Sequence, residues 1–254
     1  MKKPFAMSVL TRVLTVVLVV VCLGILWQGA IVGLGIQPYI VPRPMAVVTA
    51  FIDGWREIAR HAAFTLAAAA LGLAFSALLA STIAISFALK PALEQMSMPV
   101  VLVFRSTPVA AVAPIMTLVF GRGMSTSIAV VTIIAFFPIL VNLMRGISST
   151  DPTTTELLHV YGATRAQQMR LIHLPFALPY LFTGLRVSGT SALLGAMLSE
   201  WITGSPGLGK LILDAGEMRE IELLWASVIA SVVIALCVFW TTSAAETRLL
   251  RWKP

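Results

Sequence analysis

Residues 156–175 read Glu156-Leu157-Leu158-His159-Val160-Tyr161-Gly162-Ala163-Thr164-Arg165-Ala166-Gln167-Gln168-Met169-Arg170-Leu171-Ile172-His173-Leu174-Pro175. Polar, charged and apolar residues mix here, inside a chain that is 58% hydrophobic and only 11% charged. Thr153 followed by Glu156 has the spacing of a capping box, in which an N-cap hydroxyl and a Glu three residues on satisfy each other's free N–H groups. Leu157, Leu158 and Tyr161 then fall on one helical face, and Gly162 stands where a left-handed glycine ends a helix. Thr164 and Gln167 repeat the capping-box spacing, Met169 and Ile172 share a face, and Arg165 and Arg170 point elsewhere. Pro175 suits the first turn of a further helix. Two helices this short are unstable alone in water. Their apolar faces need cover, either from the chain's own bundle or from a groove on a soluble partner.

The surroundings say where this island lies. A soluble domain carries roughly 25% charged residues; 11% leaves too few to cover a water-facing surface, so the main solvent is lipid. A membrane-crossing helix needs about 20 apolar residues. Suitable runs lie between Arg12 and Arg43, from Ala62 to Leu89, from Ser97 to Phe120 with Arg105 inside, from Gly123 to Met144, from Pro175 to about Glu200 with Arg186 inside, and from Leu223 to Ala245. Six spans account for the chain as one membrane domain, residues 1–254, with the polar segment at about 148–174. The expected fold is an all-α membrane protein with six transmembrane helices.

Charge sets the orientation. With both termini cytoplasmic, the inner segments hold ten Lys and Arg and four acids, a balance of +6. The outer segments hold six cations and seven acids, a balance of −1. The polar segment then faces the cytoplasm. The formal net charge of +7 reports topology and not nucleic-acid binding, which needs a basic soluble face. Lys2 and Lys3 before an apolar run resemble a signal peptide, but the run is longer than an h-region and lacks a small-residue exit, so it reads as a retained first helix. Cys22 and Cys237 read as buried thiols and not as a disulfide or metal pair. Pro38, Pro42 and Pro44 forbid a continuous helix, and Met45 to Trp55 reads as a short interfacial helix. Ala67–Ala70, Gly72, Ala74, Ser76, Ala77 and Ala80 form a small-residue surface for close helix packing.

At the full spacing, residues 156–175 resemble the cytoplasmic EAA signature of permease subunits of binding-protein-dependent ABC importers: Glu-Ala-Ala, three residues, Gly, nine residues, Ile-x-Leu-Pro. Leu157 and Leu158 replace the two alanines and make the face bulkier. Phe104-Arg105-Ser106-Thr107-Pro108, Ala113-Pro114, Phe120-Gly121-Arg122-Gly123, Leu178-Pro179-Tyr180, Gly184-Leu185-Arg186, Ser199-Glu200 and Gly207-Leu208-Gly209 resemble the nitrate/sulfonate/taurine-type subfamily. The resemblance implies a type I ABC importer permease in a bacterial inner membrane. It implies two ATPase copies that carry the ATP and magnesium, a second permease copy in a homodimer, and an extracytoplasmic substrate-binding protein. It implies ATPase coupling through Glu156, Leu157, Leu158, Tyr161, Gly162, Ala163, Arg165, Ile172, Leu174 and Pro175. The implied cargo is a small solute, taken first as an anion such as nitrate, a sulfonate or taurine, with a thiamine precursor, riboflavin or an aromatic acid as alternatives.

An intramembrane arginine costs roughly 2.5 kcal/mol or more and faces a bundle or cavity. Arg186, eleven residues after Pro175 and so about 17 Å along the helix, is expected near mid-bilayer. Arg105 with Thr107, Asn142, Arg186 and Glu200 are the pathway candidates. The competing reading makes the arginines packing residues paired with carbonyls or an acid, Asn142 an interhelical hydrogen-bonding residue, and Glu200 a structural, gate or docking residue. Gly204 to Lys210 nearly spells a phosphate-binding loop, but Leu211 stands where Ser or Thr would hold magnesium, so a turn is expected and no cofactor. His61, His159 and His173 lack metal spacing, and no nucleophile–base set is present, so the chain reads as a non-enzyme. A stand-alone channel, a secondary carrier and a membrane enzyme are the rival classes. A carrier more often shows internal repeats and broken helices around a midplane site.

Overall fold

The computed structural model describes the backbone of residues 5–106 and 108–249, and the side chains of these except 5–10, 12, 13, 16, 104–106 and 249. Among the described residues every regular element is helical. In chain order they are α1 (Phe5–Leu34), α2 (Pro44–Asp53), α3 (Trp55–Leu89), α4 (Pro91–Ser106), α5 (Val109–Phe120), α6 (Met124–Ser148), α7 (Pro152–Val160), α8 (Arg165–Gln168), a π-helical turn (Met169–His173), α9 (Leu174–Thr203), α10 (Leu208–Glu217) and α11 (Ile221–Leu249). Among the described residues, five stretches are long and apolar enough to cross a bilayer: Val17–Leu34, Trp55–Leu89, Met124–Ser148, Arg165–Thr203 and Ile221–Arg248. Large apolar side chains such as Leu26, Leu78, Leu194 and Trp240 are exposed along them, a surface that only lipid or another apolar partner can cover.

The third expected span departs from a single rod. Pro108 is extended (φ −62°, ψ 128°) and caps α5, so Ser97–Phe120 becomes two helices. Proline lacks the N–H that would continue the ladder and pushes its predecessor out of the helical region. Neither α4, with 16 residues, nor α5, with 12, reaches the length of a crossing by itself.

The fifth span departs in the other direction. The second short helix does not stop before Pro175; residues 165–203 form one apolar helical stretch of 39 residues. Pro175 has no N–H for the carbonyl of Leu171 and its ring crowds that turn. The chain answers with a π turn, in which the Leu174 N–H reaches five residues back to the Met169 carbonyl.

The helices group into two compact units. In the first (Met1–Arg56 with Ile212–Ile229), the Trp27 and Trp225 rings lie 5.4 Å apart, and the Arg56 guanidinium sits 5.7 Å from the centre of the Trp55 ring. The expected short helix appears as α2, with Pro44 in its first turn, and Trp55 opens α3. In the second unit (Glu57–Leu211 with Ala230–Pro254), α6 and α9 pack along much of their length and α5 packs on both. Ile139, Leu140, Val131, Leu193 and Ala196 are fully or almost fully buried there. The small face of α3 lies on α6: Ala68, Gly72, Ser76, Ala80 and Ala84 are buried, and the Thr132 hydroxyl stands 3.3 Å from the Gly72 carbonyl. A Cβ at Gly72 would come within 2.6 Å of the Val131 side chain, so the close approach requires glycine. Cys22 and Cys237 are free and exposed, not buried; a thiol is small and apolar enough to face lipid.

Candidate functional site

The segment after α6 is built by caps. α7 starts two residues earlier than the Thr153–Glu156 spacing predicts. Asp151 is the N-cap, accepting from the Thr153 N–H (3.2 Å) and the Thr154 hydroxyl (3.3 Å), and Pro152 occupies the first turn. Proline fits there because its missing N–H would have had no helical partner. Glu156 is therefore exposed and takes no part in a cap. Gly162 ends the helix at φ +76°, with its N–H on the His159 carbonyl (2.9 Å) and the Ala163 N–H on the Leu158 carbonyl (3.0 Å), a Schellman ending. The second expected capping box is present: the Gln167 N–H donates to the Thr164 hydroxyl (3.3 Å) and the Thr164 N–H to the Gln167 side chain (2.8 Å).

These caps fix a knob whose apolar residues are open. Leu157, Val160 and Tyr161 are 55%, 83% and 80% exposed, and α7 buries none of its residues. Leu158 is half-buried, and Ala163, Ile172, Leu174 and Pro175 are likewise intermediate, while Arg165 is exposed. The root of the knob is buried: Met169 joins Leu143, Ile147 and Ala177 in the core, and the Gln168 amide donates to the Ala163 carbonyl (3.3 Å). His173 adds a tie that the sequence did not announce. Its Nδ1 lies 2.8 Å from the Thr150 hydroxyl and 3.2 Å from the Ile147 carbonyl, joining the π turn to the end of α6. The only sequence signal is the position of His173 inside Ile-x-Leu-Pro.

Among the described residues, the pathway candidates Asn142, Arg186 and Glu200 each have a separate partner. Arg186 forms an ion pair with Glu246 of α11 (2.8 Å), and the two side chains are 33% and 18% exposed. Glu246 stands in the last turn of α11, and Arg186 lies within the helical stretch Arg165–Thr203. The Asn142 amide donates within its own helix to the Pro138 carbonyl (2.7 Å) and not to a neighbouring helix. The carbonyl four residues back is the nearest acceptor available to a polar side chain in lipid. Glu200 lies fourteen residues beyond Arg186 in α9, about 21 Å along it. It is fully buried, accepting from the Thr65 hydroxyl and the Gly209 N–H, each at 3.0 Å. The Arg105 side chain and Thr107 lie outside the described residues. Gly204 caps α9 in a left-handed turn, and Leu208 begins α10, so the near-phosphate-loop is a helix–turn–helix link.

A cavity of about 670 Å³ opens between α3, α4 and α6, lined by Ile83, Phe87, Met96, Val100 and Phe136 among others. Of its lining among the described residues only Ser97 and Thr132 are polar. Among the described residues no cluster of His, Cys, Asp or Glu is placed to hold a metal.

Several long apolar helices carrying one capped, apolar, exposed knob define a multi-pass membrane transport subunit. The chain belongs to the family described as binding-protein-dependent transport system inner membrane component, whose model matches residues 72–251. It is 31% identical over 234 residues to the riboflavin transport system permease protein RibX of Chloroflexus aurantiacus, covering 90% of this chain and 86% of that one. It is 28% identical over 242 residues to the taurine transport system permease protein TauC of Escherichia coli, covering 91% and 86%. Its fold is shared with a chain in a crystal structure of an amino acid ABC transporter with histidines, at a TM-score of 0.66 and 17% identity, over 79% of this chain and 97% of that one. The protein is thus an ABC importer permease subunit of a bacterial inner membrane, a transport component and not an enzyme, working with an ATPase and a binding protein.

Proposed function

We propose that the chain is one permease domain over residues 1–254 with six crossings and both termini cytoplasmic. In this reading α4 and α5 together make the crossing that neither makes alone. Two copies form a homodimer on two ATPase subunits, which hold the ATP and magnesium, and the binding protein delivers solute from outside. Residues 148–174 are the coupling segment. Leu157, Leu158 and Tyr161 enter a groove on the ATPase, with Glu156, Gly162, Ala163 and Arg165 shaping the knob and Ile172, Leu174 and Pro175 joining it to α9. The observation that carries this reading is the exposed apolar face of α7, rigidly capped at both ends. The test is reconstitution: permease, ATPase and binding protein in proteoliposomes should take up solute only with ATP and the binding protein. Transport by the pure chain without nucleotide would favour the channel or carrier class instead.

For the solute, we place a small anion first. Arg105 stands in the last turn of α4, beside the break in span 3. Discontinuous helices commonly border transport sites, so Arg105 and Thr107 remain the pathway candidates. Asn142, Arg186 and Glu200 are read as lying outside the solute path, since each is engaged inside the chain. A second reading, a heterocycle such as a flavin or a thiamine precursor, is favoured by the apolar cavity between α3, α4 and α6. Competition between taurine and riboflavin for the cognate binding protein separates the two.

A further inference from the structure

We infer that Glu200 is a positioning residue for transport: it locks the 204–209 loop to α3, and through that lock events at the outer face reach the long helix that carries the coupling segment. The inference rests on the proposed topology, which places this loop outside.

The lock is built on both sides of the carboxylate. Oε2 of Glu200 accepts from the Thr65 hydroxyl of α3 and from the Gly209 N–H, each at 3.0 Å. Thr65 Oγ1 in turn accepts from the Leu208 N–H (2.9 Å). One turn earlier on α3, His61 Nδ1 stands 2.9 Å from the Gly207 carbonyl and 3.1 Å from its N–H. The backbone has no slack. Gly207 is at φ +145°, and a Cβ there would collide with the Glu200 carboxyl, while one on Gly209 would collide with the Met197 carbonyl of α9. Glu200 and Thr65 are 0% exposed, and Oε1 of Glu200 has no hydrogen-bond partner among the described residues.

A fully buried carboxyl with one oxygen unpartnered is costly, and an apolar side chain would avoid that cost. What the acid adds is a bond on each side, to α3 and to the loop. Glu200 also lies one turn from the end of the helical stretch Arg165–Thr203. At 1.5 Å per residue that stretch of 39 residues is about 58 Å long. Its other end is the π turn, which His173 ties to α6 beside the α7 knob. A pull on the loop is therefore a pull on α3 and α9 together, and α9 is continuous with the segment that meets the ATPase. Without the lock the loop moves alone.

The test uses the full assembly in proteoliposomes and compares ATP hydrolysis with and without the purified cognate binding protein. Variants are Glu200→Ala, Thr65→Val and Glu200→Gln; the glutamine keeps one oxygen to accept from Gly209 and Thr65. Wild type and E200Q should be stimulated by the binding protein. E200A and T65V should keep basal hydrolysis and lose stimulation by about fivefold or more, the range of ordinary coupling between sites. Stimulation of E200A and T65V equal to wild type overturns the inference. So does a proportional fall of basal and stimulated rates in all three variants, which marks a folding role only. If E200A does not assemble, T65V and E200Q carry the same comparison. Absence of stimulation in the wild type would strike the proposed function itself.

Discussion

At the scale of single residues, Leu157 and Tyr161 are large, exposed side chains on a helix fixed by caps rather than by packing. Leu157→Asp and Tyr161→Asp should therefore leave the fold intact, since surface changes of this kind stay within about 0.5 kcal/mol. The thermal midpoint of the purified chain should hold while co-purification of the ATPase is lost; retention of the ATPase with both changes present would remove the coupling role of α7. Gly162 asks for the opposite outcome. At φ +76° an alanine pays roughly 1–2 kcal/mol for its Cβ, which should fray the end of α7 and appear as faster hydrogen exchange at residues 158–163. Arg186 and Glu246 form a pair whose members depend on each other. Arg186→Met or Glu246→Gln alone should cost on the order of 1–3 kcal/mol by leaving a polar group stranded. The Arg186→Met/Glu246→Met double variant should regain most of it, read as thermal midpoint in detergent. Loss of anion uptake in a stably folded double variant would return Arg186 to the pathway. The Gly162 ending and the Thr164–Gln167 capping box were legible because caps and glycines act over three to five residues, while the Asp151 cap displaced the expected Thr153–Glu156 box. The Arg186 partner was not, since sixty residues separate the two.

At the scale of elements, two departures share a cause. Pro108 divides the third span and Pro175 is absorbed by a π turn; in both, a missing N–H decides, but the neighbourhood decides how. Beside Pro175, the buried Met169 and the His173–Thr150 tie hold the helix in line. His173→Phe should remove that tie at a cost of about 1 kcal/mol. The expected readout is faster amide exchange at residues 169–174 with no change in α3 or α11; unchanged exchange there would mean that packing alone holds the turn. Close approach is the other element-level rule. Gly72→Leu should separate α3 from α6, because even the Cβ meets Val131. Overpacking costs typically 1–3 kcal/mol, visible as a lower thermal midpoint of the chain. The small-residue face of α3 was readable from composition, but which helix it meets was not.

For the whole molecule, subunit number is the decisive quantity. Native mass spectrometry of the assembled transporter should give two copies of this chain with two ATPases; a single copy beside a different permease would replace the homodimer by a paired arrangement. Composition and charge asymmetry determined the membrane class and the expected orientation, and local spacing pointed to the short helices of residues 152–168 and to the family. All of these depend on interactions between near neighbours or on bulk transfer into lipid. Only the tertiary structure decided that span 3 is broken, that residues 165–203 run unbroken, that Arg186 is paired with Glu246, and that Glu200 grips Thr65 and Gly209. A buried polar group in a membrane helix takes whatever partner the packing brings within about 3 Å. That partner stands sixty residues away for Arg186 and 135 for Glu200, where no periodicity in the sequence records it.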